Sequence, residues 1–337
     1  MTEFTHKNYF LKLSYFFLLF LAVLIAAPFI GSTSLNWKKA FDFSIPMSQN
    51  IAAQKFFILR LPRVLLAGLA GASLALCGLI FQALLRNPLA DPFTLGISSG
   101  ASLGAVLVLK LGLDLSIWGI STISLAAFLG ALLSISLVFL LARIVKSQFS
   151  AMTLILAGIS ISFLFSAIIL FVHYLADFTE TFQMIRWMMG GVDVVNYQIL
   201  LRILPFCLIG FFVLFRLGRD LNVISGGEEF ALSRGVNVRK VHRQALIFTS
   251  LITGVIVAAC GPIGFVGLMV PHILRLLVGA DHRLLIPASI FFGAGFLIFC
   301  DTVARTIIAP AEIPVGVLTA LLGGPFFIWL LLRRRGE

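Results

Sequence analysis

Long apolar runs recur along this sequence and restrict the folds that it can adopt. About twenty apolar residues in a helix cross the roughly 30 Å hydrocarbon core of a bilayer. Of the 337 residues, 60% are hydrophobic and only 12% are charged, so a water-soluble fold could not bury its apolar side chains. The sequence therefore predicts an all-α polytopic membrane protein with one transmembrane domain over residues 1–337. The ten predicted spans are 13–32, 61–84, 93–110, 119–142, 151–172, 197–216, 244–262, 264–279, 284–306 and 315–332.

Basic residues near the two ends of the chain predict its orientation. Lys7 and Lys12 precede the first span, and Arg333, Arg334 and Arg335 follow the last. Such clusters stay in the cytoplasm, and an even number of spans puts both termini on that side. The net charge of +11 fits this topology better than a nucleic-acid partner, because the basic residues lie between apolar runs rather than on one face.

Small residues occur at every fourth position on two predicted spans. They run from Ala67 to Ala75 on the second span, while Gly158, Ser162 and Ser166 have the same spacing on the fifth. Such spacing lets helix backbones approach closely in lipid. For the fifth span two interpretations stay open, namely helix packing and a weakly polar wall of a transport pathway.

The segment after the fifth span is too polar and too short to cross the membrane. Asp177 followed by Glu180 is a capping-box pattern, and Gly190 with Gly191 would end the helix that it opens. We predict a short helix at the outer surface that could act as a lid.

A weak internal repeat relates two parts of the sequence. The stretch that begins at Arg60 is loosely matched by the stretch that begins at Val241, five predicted spans later. An odd offset reverses the crossing direction, so spans 2–5 and 7–10 are predicted to form an inverted repeat, a pattern typical of transporters.

The sequence contains no motif of a catalytic site. It has no nucleophile beside a base, no metal-ligand spacing and no G-x-x-x-x-G-K-[ST] phosphate loop, so we predict no catalytic residue, no bound metal and no ATPase site. Asp301 and Arg305, four residues apart on the ninth span, predict an ion pair, and His272 is interpreted as structural. So few ionisable groups within the spans disfavour an ion-coupled secondary transporter acting alone, which is the alternative function.

One polar segment, residues 226–240, interrupts the apolar sequence between the sixth and seventh spans. Its residues GGEEFALSRGV predict one short helix from about Gly227 to Arg234, broken at Gly235 and followed by a second short turn. A charged surface at this place would suit a separate motor protein in the cytoplasm. An ordinary solvated loop is the alternative.

Four long stretches resemble a known family. They read RLPRVLLAGLAGASLALCGLIFQALLRNPLADPFTLGISSGASLGA from Arg60, WMMGGVDVV from Trp187, EEFALSRGVNV from Glu228, and GPIGFVGLMVPHILRLLVGADHRLLIPASIFFGAGFLIFCDTVARTI from Gly261. The sequence is thereby similar, from about residue 45 to 333, to the permease subunits of ABC importers for iron-siderophores, haem and vitamin B12. The resemblance implies a permease of the bacterial inner membrane that translocates a metal-chelate type substrate such as an iron-siderophore, haem or cobalamin, or a metal oxyanion such as molybdate.

The resemblance also implies partners and roles for individual residues. It implies a homodimer in membrane lipid, two ATP-binding subunits that hold ATP and magnesium, and a periplasmic or lipid-anchored substrate-binding protein. The turn RNPLADP corresponds to the inner gate, although a plain capped turn is the alternative, and Ser150, Ala151 and Met152 depart from the family at the start of the fifth span. By residue, the resemblance assigns Gly227, Glu228, Glu229, Ala231, Leu232, Arg234, Gly235 and Val236 to ATPase coupling in two short helices, Arg60, Arg63 and Arg305 to docking of the binding protein, and Asn87 and Leu89 to the cytoplasmic gate.

Overall fold

A computed structural model describes residues 6–42, 44–113, 115–117, 120–144, 151–193 and 197–333. Ser150, Arg334 and Arg335, named above, lie outside these ranges. The described chain is all-α apart from one short hairpin, β1 (Ser116–Ile117) and β2 (Ile120–Ser121). Its helices are α1 His6–Ala26, α2 Trp37–Ala40, α3 Ile51–Ala53, α4 Leu61–Leu84, α5 Ile97–Lys110, α6 Thr122–Ile144, α7 Ala151–Tyr174, α8 Phe178–Met188, α9 Tyr197–Arg216, α10 Gly218–Ser225, α11 Glu228–Ser233, α12 Val238–Cys260, α13 Val266–Val278, α14 His282–Ala304 and α15 Val315–Arg333, with a π-helix at Gln54–Arg60 that joins α3 to α4 and 3₁₀ turns at Ala27–Phe29 and Pro92–Leu95.

The apolar helices follow the predicted spans in order. Seven described helical segments are long and apolar enough to cross a membrane, and α5, α13 and α15 are shorter apolar helices. The predicted and observed helix boundaries differ most at two helices. Helix α1 begins at His6 rather than at 13, and α12 begins at Val238 rather than at 244. The side chain of Asn237 accepts a hydrogen bond from the Lys240 amide at 3.0 Å, and this cap starts α12 earlier than hydropathy predicts.

Contacts between helix termini define two ends of the bundle. Arg63, in the first turn of α4, binds Asp301 in the last turn of α14, whereas Gln82, in the last turn of α4, binds Arg275 in the last turn of α13. We call the first the Arg63 end. We call the second the Arg86 end, because Arg86 lies in the turn just after α4. Tyr9 donates to a carbonyl at the start of α14, so α1 begins at the Arg86 end.

The two predicted repeat halves have matching helix lengths and opposite directions. Helices α4 to α7 contain 24, 14, 23 and 24 residues, and α12 to α15 contain 23, 13, 23 and 19. Helix α4 runs from the Arg63 end to the Arg86 end, while α12 runs the other way. In each half a long helix is followed by a short one after a stretch of irregular backbone.

Helix α4 lies at the centre of the bundle, against α12, α13 and α14. A Cβ on Gly71 would lie 2.2 Å from the carbonyl oxygen of Gly293, and one on Gly78 would lie 1.9 Å from that of Gly267. No side chain fits at those separations, so glycine is required for the backbones to come this close. The prediction that small residues on the second span serve helix packing is confirmed.

Candidate functional site

The polar segment between α9 and α12 folds into two short helices at the Arg86 end. Gly227, with φ of +125°, precedes α11, and Gly235, with φ of +78°, follows it; both angles favour glycine. Within α11, Ala231 is completely buried whereas Leu232 is 62% exposed. Ala231 thus anchors the helix, and the other residues of α11 are exposed.

The prediction of the second short helix was wrong in its position. The sequence predicts a further turn after Gly235, but the chain enters α12 at Val238, and the other short helix is α10, which precedes Gly227. The amide of Val236 donates to the carbonyl of Ala231 at 3.0 Å and closes the reversal there. Asn237 then caps α12 at once, which leaves no room for another turn.

The remaining predicted coupling residues carry the charge of α11. Glu228 and Glu229 occupy its first turn, where carboxylates favour the positive end of the helix dipole. The Glu228 carboxylate lies 3.7 Å from the guanidinium of Arg86, with both side chains about half exposed. Arg234 stacks over the ring of Phe230 at 5.1 Å. Arg86 was not predicted as part of this site, because nothing local in the sequence links it to Glu228.

The turn RNPLADP lies beside this segment. Asn87 accepts a hydrogen bond from the Leu89 amide at 2.9 Å, and Leu89 is 51% exposed. Arg86 adopts φ of +48°, a strained angle for a residue with a side chain, and donates to the Ile224 carbonyl of α10 at 3.2 Å. The candidate gate and the candidate coupling helices are therefore in direct contact.

Asp91 caps the 3₁₀ turn that follows. Its carboxylate accepts hydrogen bonds from the amides of Phe93 and Thr94 at 2.9 and 3.0 Å, in a complete capping box. Burial raises the pKa of Asp91 to about 6, although those two amides act in the opposite direction.

At the Arg63 end, two of the three predicted docking arginines are buried. Arg60 is 8% exposed and donates to the carbonyls of Pro28 and Phe29 at 3.2 and 3.3 Å, and to that of Thr33. Arg305 is 3% exposed and donates to the carbonyl of Ala27 at 2.8 Å. Both guanidinium groups thus hold the segment after α1, so in this conformation neither presents its charge at the surface. Hydropathy and charge pattern could not show that this segment folds back over them.

Arg63, the third predicted docking residue, is shared between two carboxylates. Its guanidinium contacts Asp301 at 2.9 Å and Glu312 at 2.6 Å. Asp301 is almost fully buried whereas Glu312 is 37% exposed. The predicted Asp301–Arg305 ion pair is present, but its atoms are 3.8 Å apart. Arg63, at 2.9 Å, is therefore the principal partner of Asp301. The i to i+4 spacing suggested the weaker pair because Arg63 is 238 residues away in sequence.

Two cavities open at the Arg63 end and meet at these residues. The larger, of about 580 Å³, is lined mainly by apolar side chains of α8, by Gly191–Asp193 and by the start of α15. The smaller, of about 410 Å³, is lined by Lys55, Arg60, Arg63 and Arg305 together with acidic Asp193 and Glu312. Charged side chains, mostly basic, therefore lie beside an apolar recess, which is the kind of surface that can receive a ligand or partner.

The predicted short helix after the fifth span is present as α8. Asp177 and Glu180 form the predicted capping box, with bonds of 2.8 and 2.9 Å. The hydrogen bond from Lys110, at 2.7 Å, lowers the pKa of Glu180. Gly190, with φ of +68°, ends the helix region, and its carbonyl accepts from the Gly316 amide of α15 at 3.1 Å. The lid role stays a prediction.

The three pathway candidates on α7 do not form one wall. Gly158 is buried, and a Cβ there would lie 2.5 Å from the carbonyl oxygen of Thr94, so helix packing explains it and the pathway assignment is wrong for this residue. Ser162 accepts a hydrogen bond from Ser99 at 3.0 Å. Ser166 is exposed and lines a cavity of about 370 Å³ between α7 and α8.

His272 and the four cysteines are buried inside the bundle. Among the described residues, no group of three His, Cys, Asp or Glu side chains could hold a metal ion. His272 is buried and packs edge-on against Phe326 at 5.9 Å, which agrees with a structural role. Cys77, Cys207, Cys260 and Cys300 are buried free thiols.

Comparison with known proteins gives matches over most of the chain. Residues 18–333 match the FecCD transport family. The hemin transport system permease protein HmuU of Yersinia pestis is 40% identical over 330 residues, which cover 95% of this chain and 96% of the relative. The vitamin B12 import system permease protein BtuC of Klebsiella pneumoniae is 40% identical over 297 residues, or 87% and 88% of the two chains. A solved structure described as an inward-facing conformation of a metal-chelate type ABC transporter has a TM-score of 0.81 and 32% identity, and covers 96% of this chain and 99% of that chain.

Proposed function

Because the chain belongs to the FecCD transport family, we propose that it is the membrane permease of a binding-protein-dependent ABC importer for a metal-chelate type substrate. The observation that carries this proposal is the folded segment at the Arg86 end. It forms a compact helix pair with an anchored apolar side and an exposed side that includes Glu229 and Leu232. A plain solvated loop would not bury Ala231 completely.

The driving force comes from separate ATP-binding subunits. Two such subunits, each holding ATP and magnesium, contact α10 and α11 of a homodimer of this chain. Glu228, Glu229 and Arg234 supply the charges of that contact, and Leu232 supplies an exposed apolar group. The segment touches the turn that holds Asn87 and Leu89, so its displacement alters the gate directly. The Arg86 end is then cytoplasmic, and both termini lie on that side of a bacterial inner membrane.

The Arg63 end receives a periplasmic or lipid-anchored binding protein. Exposed cations at this end include Lys38, Lys39 and Arg186, and Arg63 is partly exposed beside Glu312. Complementary charge at such a face orients docking and raises its rate more than its affinity. Arg60 and Arg305 support this face from beneath by fixing the segment after α1.

Selection of the cargo takes place mainly in the binding protein. The relatives named for hemin and vitamin B12 share equal identity with this chain, which supports a scaffold that several chelates can pass. Apolar cavity walls with few charges, such as the one that includes Ser166, bind cargo weakly and let it leave. Haem, cobalamin and iron-siderophores are therefore the substrates to test, together with metal oxyanions, which are smaller molecules.

Substitution at Gly235 tests the coupling role. Proline cannot adopt φ of +78° and lacks the amide that donates to Leu232 at 3.0 Å, so Gly235→Pro breaks the reversal after α11. We expect the variant to fold in the membrane and to lose ATP-driven uptake of hemin or cyanocobalamin while its ATPase subunits still hydrolyse ATP. Gly235→Ala is the matched control, because no atom lies within 4 Å of its Cβ and only the φ strain of about 1 kcal/mol remains. Normal uptake by Gly235→Pro would refute the coupling role.

A further inference from the structure

One asparagine makes the side-chain hydrogen bonds that join helix α10 to the start of α14. Asn222 Nδ2 donates to Asp281 Oδ1 at 2.6 Å. Asn222 Oδ1 accepts from the His282 backbone amide at 2.8 Å and lies 2.7 Å from His282 Nδ1. One amide side chain therefore binds three groups at the first turn of α14.

The chemistry of the partners fixes the orientation of this amide. A carboxylate only accepts and a backbone amide only donates, so the Asn222 oxygen must face His282 and its nitrogen must face Asp281. The Nδ1 atom of His282 then carries the proton that Asn222 Oδ1 accepts. The reversed amide would lose the hydrogen bonds to the Asp281 carboxylate and to the His282 backbone amide, so the contact has a single geometry.

Helix α14 contacts both α10 and the central helix α4. At the start of α10, a Cβ on Gly218 would lie 3.0 Å from Ile286 of α14, so the two helices are in contact. Further along, Gly71 of α4 and Gly293 of α14 bring their backbones together, which makes α4 and α14 a tightly packed pair. The parallel link from Glu228 to Arg86 is 3.7 Å long and half exposed, and an exposed pair of this kind contributes little.

We propose that Asn222 is a positioning residue that makes α10, α14 and α4 move as one unit when the ATPase acts. This role rests on the proposed function, since it concerns how the coupling helices transmit movement. It assigns the main mechanical path to the start of α14, outside the segment 226–240. Asn222 need not touch the ATPase itself.

Three variants test this contact. Asn222→Leu removes all three hydrogen bonds, and Asn222→Asp keeps an acceptor for His282 but sets a carboxylate against Asp281. Asn222→Asp with Asp281→Asn exchanges the two groups, so the amide at 281 donates to the carboxylate at 222 and that hydrogen bond returns. Asp281→Asn alone is the control for the cap of α14, because the Arg283 amide donates to the same Asp281 oxygen at 2.9 Å. Ser136→Ala is the control, because Ser136 donates to the carbonyl of Leu132 within α6, which is not part of the proposed ATPase contact.

The first readout is transport in the full complex with its ATPase subunits and binding protein. We expect the ratio of hemin or cyanocobalamin taken up to ATP hydrolysed to fall about tenfold in both single Asn222 variants. The ratio should recover at least half in the exchanged pair and stay normal in Ser136→Ala. A normal ratio in the single variants, or no recovery in the exchanged pair, would overturn the role of Asn222.

The second readout does not depend on transport. Hydrogen–deuterium exchange of the peptide that contains His282 should accelerate in Asn222→Leu, which removes the acceptor of its amide, and in Asn222→Asp, where repulsion from Asp281 displaces that acceptor. The exchange rate should return to the wild-type value in the exchanged pair. An unchanged rate in all variants would show that Asn222 does not bind the His282 amide. If the wild-type complex shows no ATP-driven uptake, the proposed function fails, and this measurement on the chain alone still decides the contact.

Discussion

Replacing Arg60 by methionine separates a structural role of this residue from a docking role. Methionine has similar length but no donors, so the carbonyls of Pro28, Phe29 and Thr33 lose their hydrogen bonds. A hydrogen bond to a charged group contributes about 1.5–3 kcal/mol, and relief of the buried charge offsets part of that loss. We expect a net destabilisation of about 3 kcal/mol, or roughly 6 °C in the unfolding midpoint.

The buried cysteines provide the assay. All four thiols, at positions 77, 207, 260 and 300, are inaccessible in the folded chain, so a thiol-reactive fluorescent dye reports unfolding in detergent. Lys38→Met, at an exposed lysine of the same end, is the control and should unfold at the wild-type temperature. Binding of the purified substrate-binding protein is measured in parallel. An Arg60→Met protein of wild-type stability that has lost only this binding would refute the structural reading and restore the docking role.

Three further predictions use the same unfolding assay. Asp301→Asn should cost about 3–5 kcal/mol because it removes the buried carboxylate between Arg63 and Arg305 and leaves Arg63 only the partly exposed Glu312, whereas Glu312→Gln should cost less than about 1 kcal/mol; equal effects would contradict the difference in burial. Gly78→Ala should prevent stable folding because its Cβ would lie 1.9 Å from a backbone oxygen, while Gly295→Ala, with 3.6 Å to the nearest atom, should be tolerated; a stable Gly78→Ala protein would show that α4 and α13 are less close than described. Since the pKa of Asp91 is raised to about 6 from an ordinary 3.8, stability should fall by up to about 3 kcal/mol as pH rises through that interval and stay level above it. Asp91→Asn, which retains a capping oxygen, should abolish this fall, and an unchanged pH profile in the variant would assign it to other groups.

Sequence patterns predicted those parts of the molecule that depend on local spacing. Hydropathy placed the apolar helices, the interval from Ala67 to Ala75 predicted close packing, and Asp177 with Glu180 predicted the cap of α8. Each of these signals lies within a few residues, so it can be read without knowing the fold. The same holds for Gly227 and Gly235, whose positive φ angles mark the start and the end of α11.

Contacts between distant residues could not be predicted in this way. Arg63 and Asp301 are 238 residues apart in sequence, and Arg60 is covered by a segment that precedes it by about thirty residues. The position of α10 was missed for a related reason, since its sequence GRDLNVIS has few apolar residues and looked like part of the loop. Only the fold shows that Asn222 reaches the start of α14.

The dependence on a separate ATPase is the central claim, and reconstitution tests it most directly. The purified chain is placed in liposomes with the binding protein and hemin or cyanocobalamin, once alone and once with its ATPase subunits and ATP. We predict accumulation against a gradient only when the ATPase subunits and ATP are both present. Accumulation by the chain alone, driven by an imposed proton or sodium gradient, would contradict the claim and favour a secondary transporter.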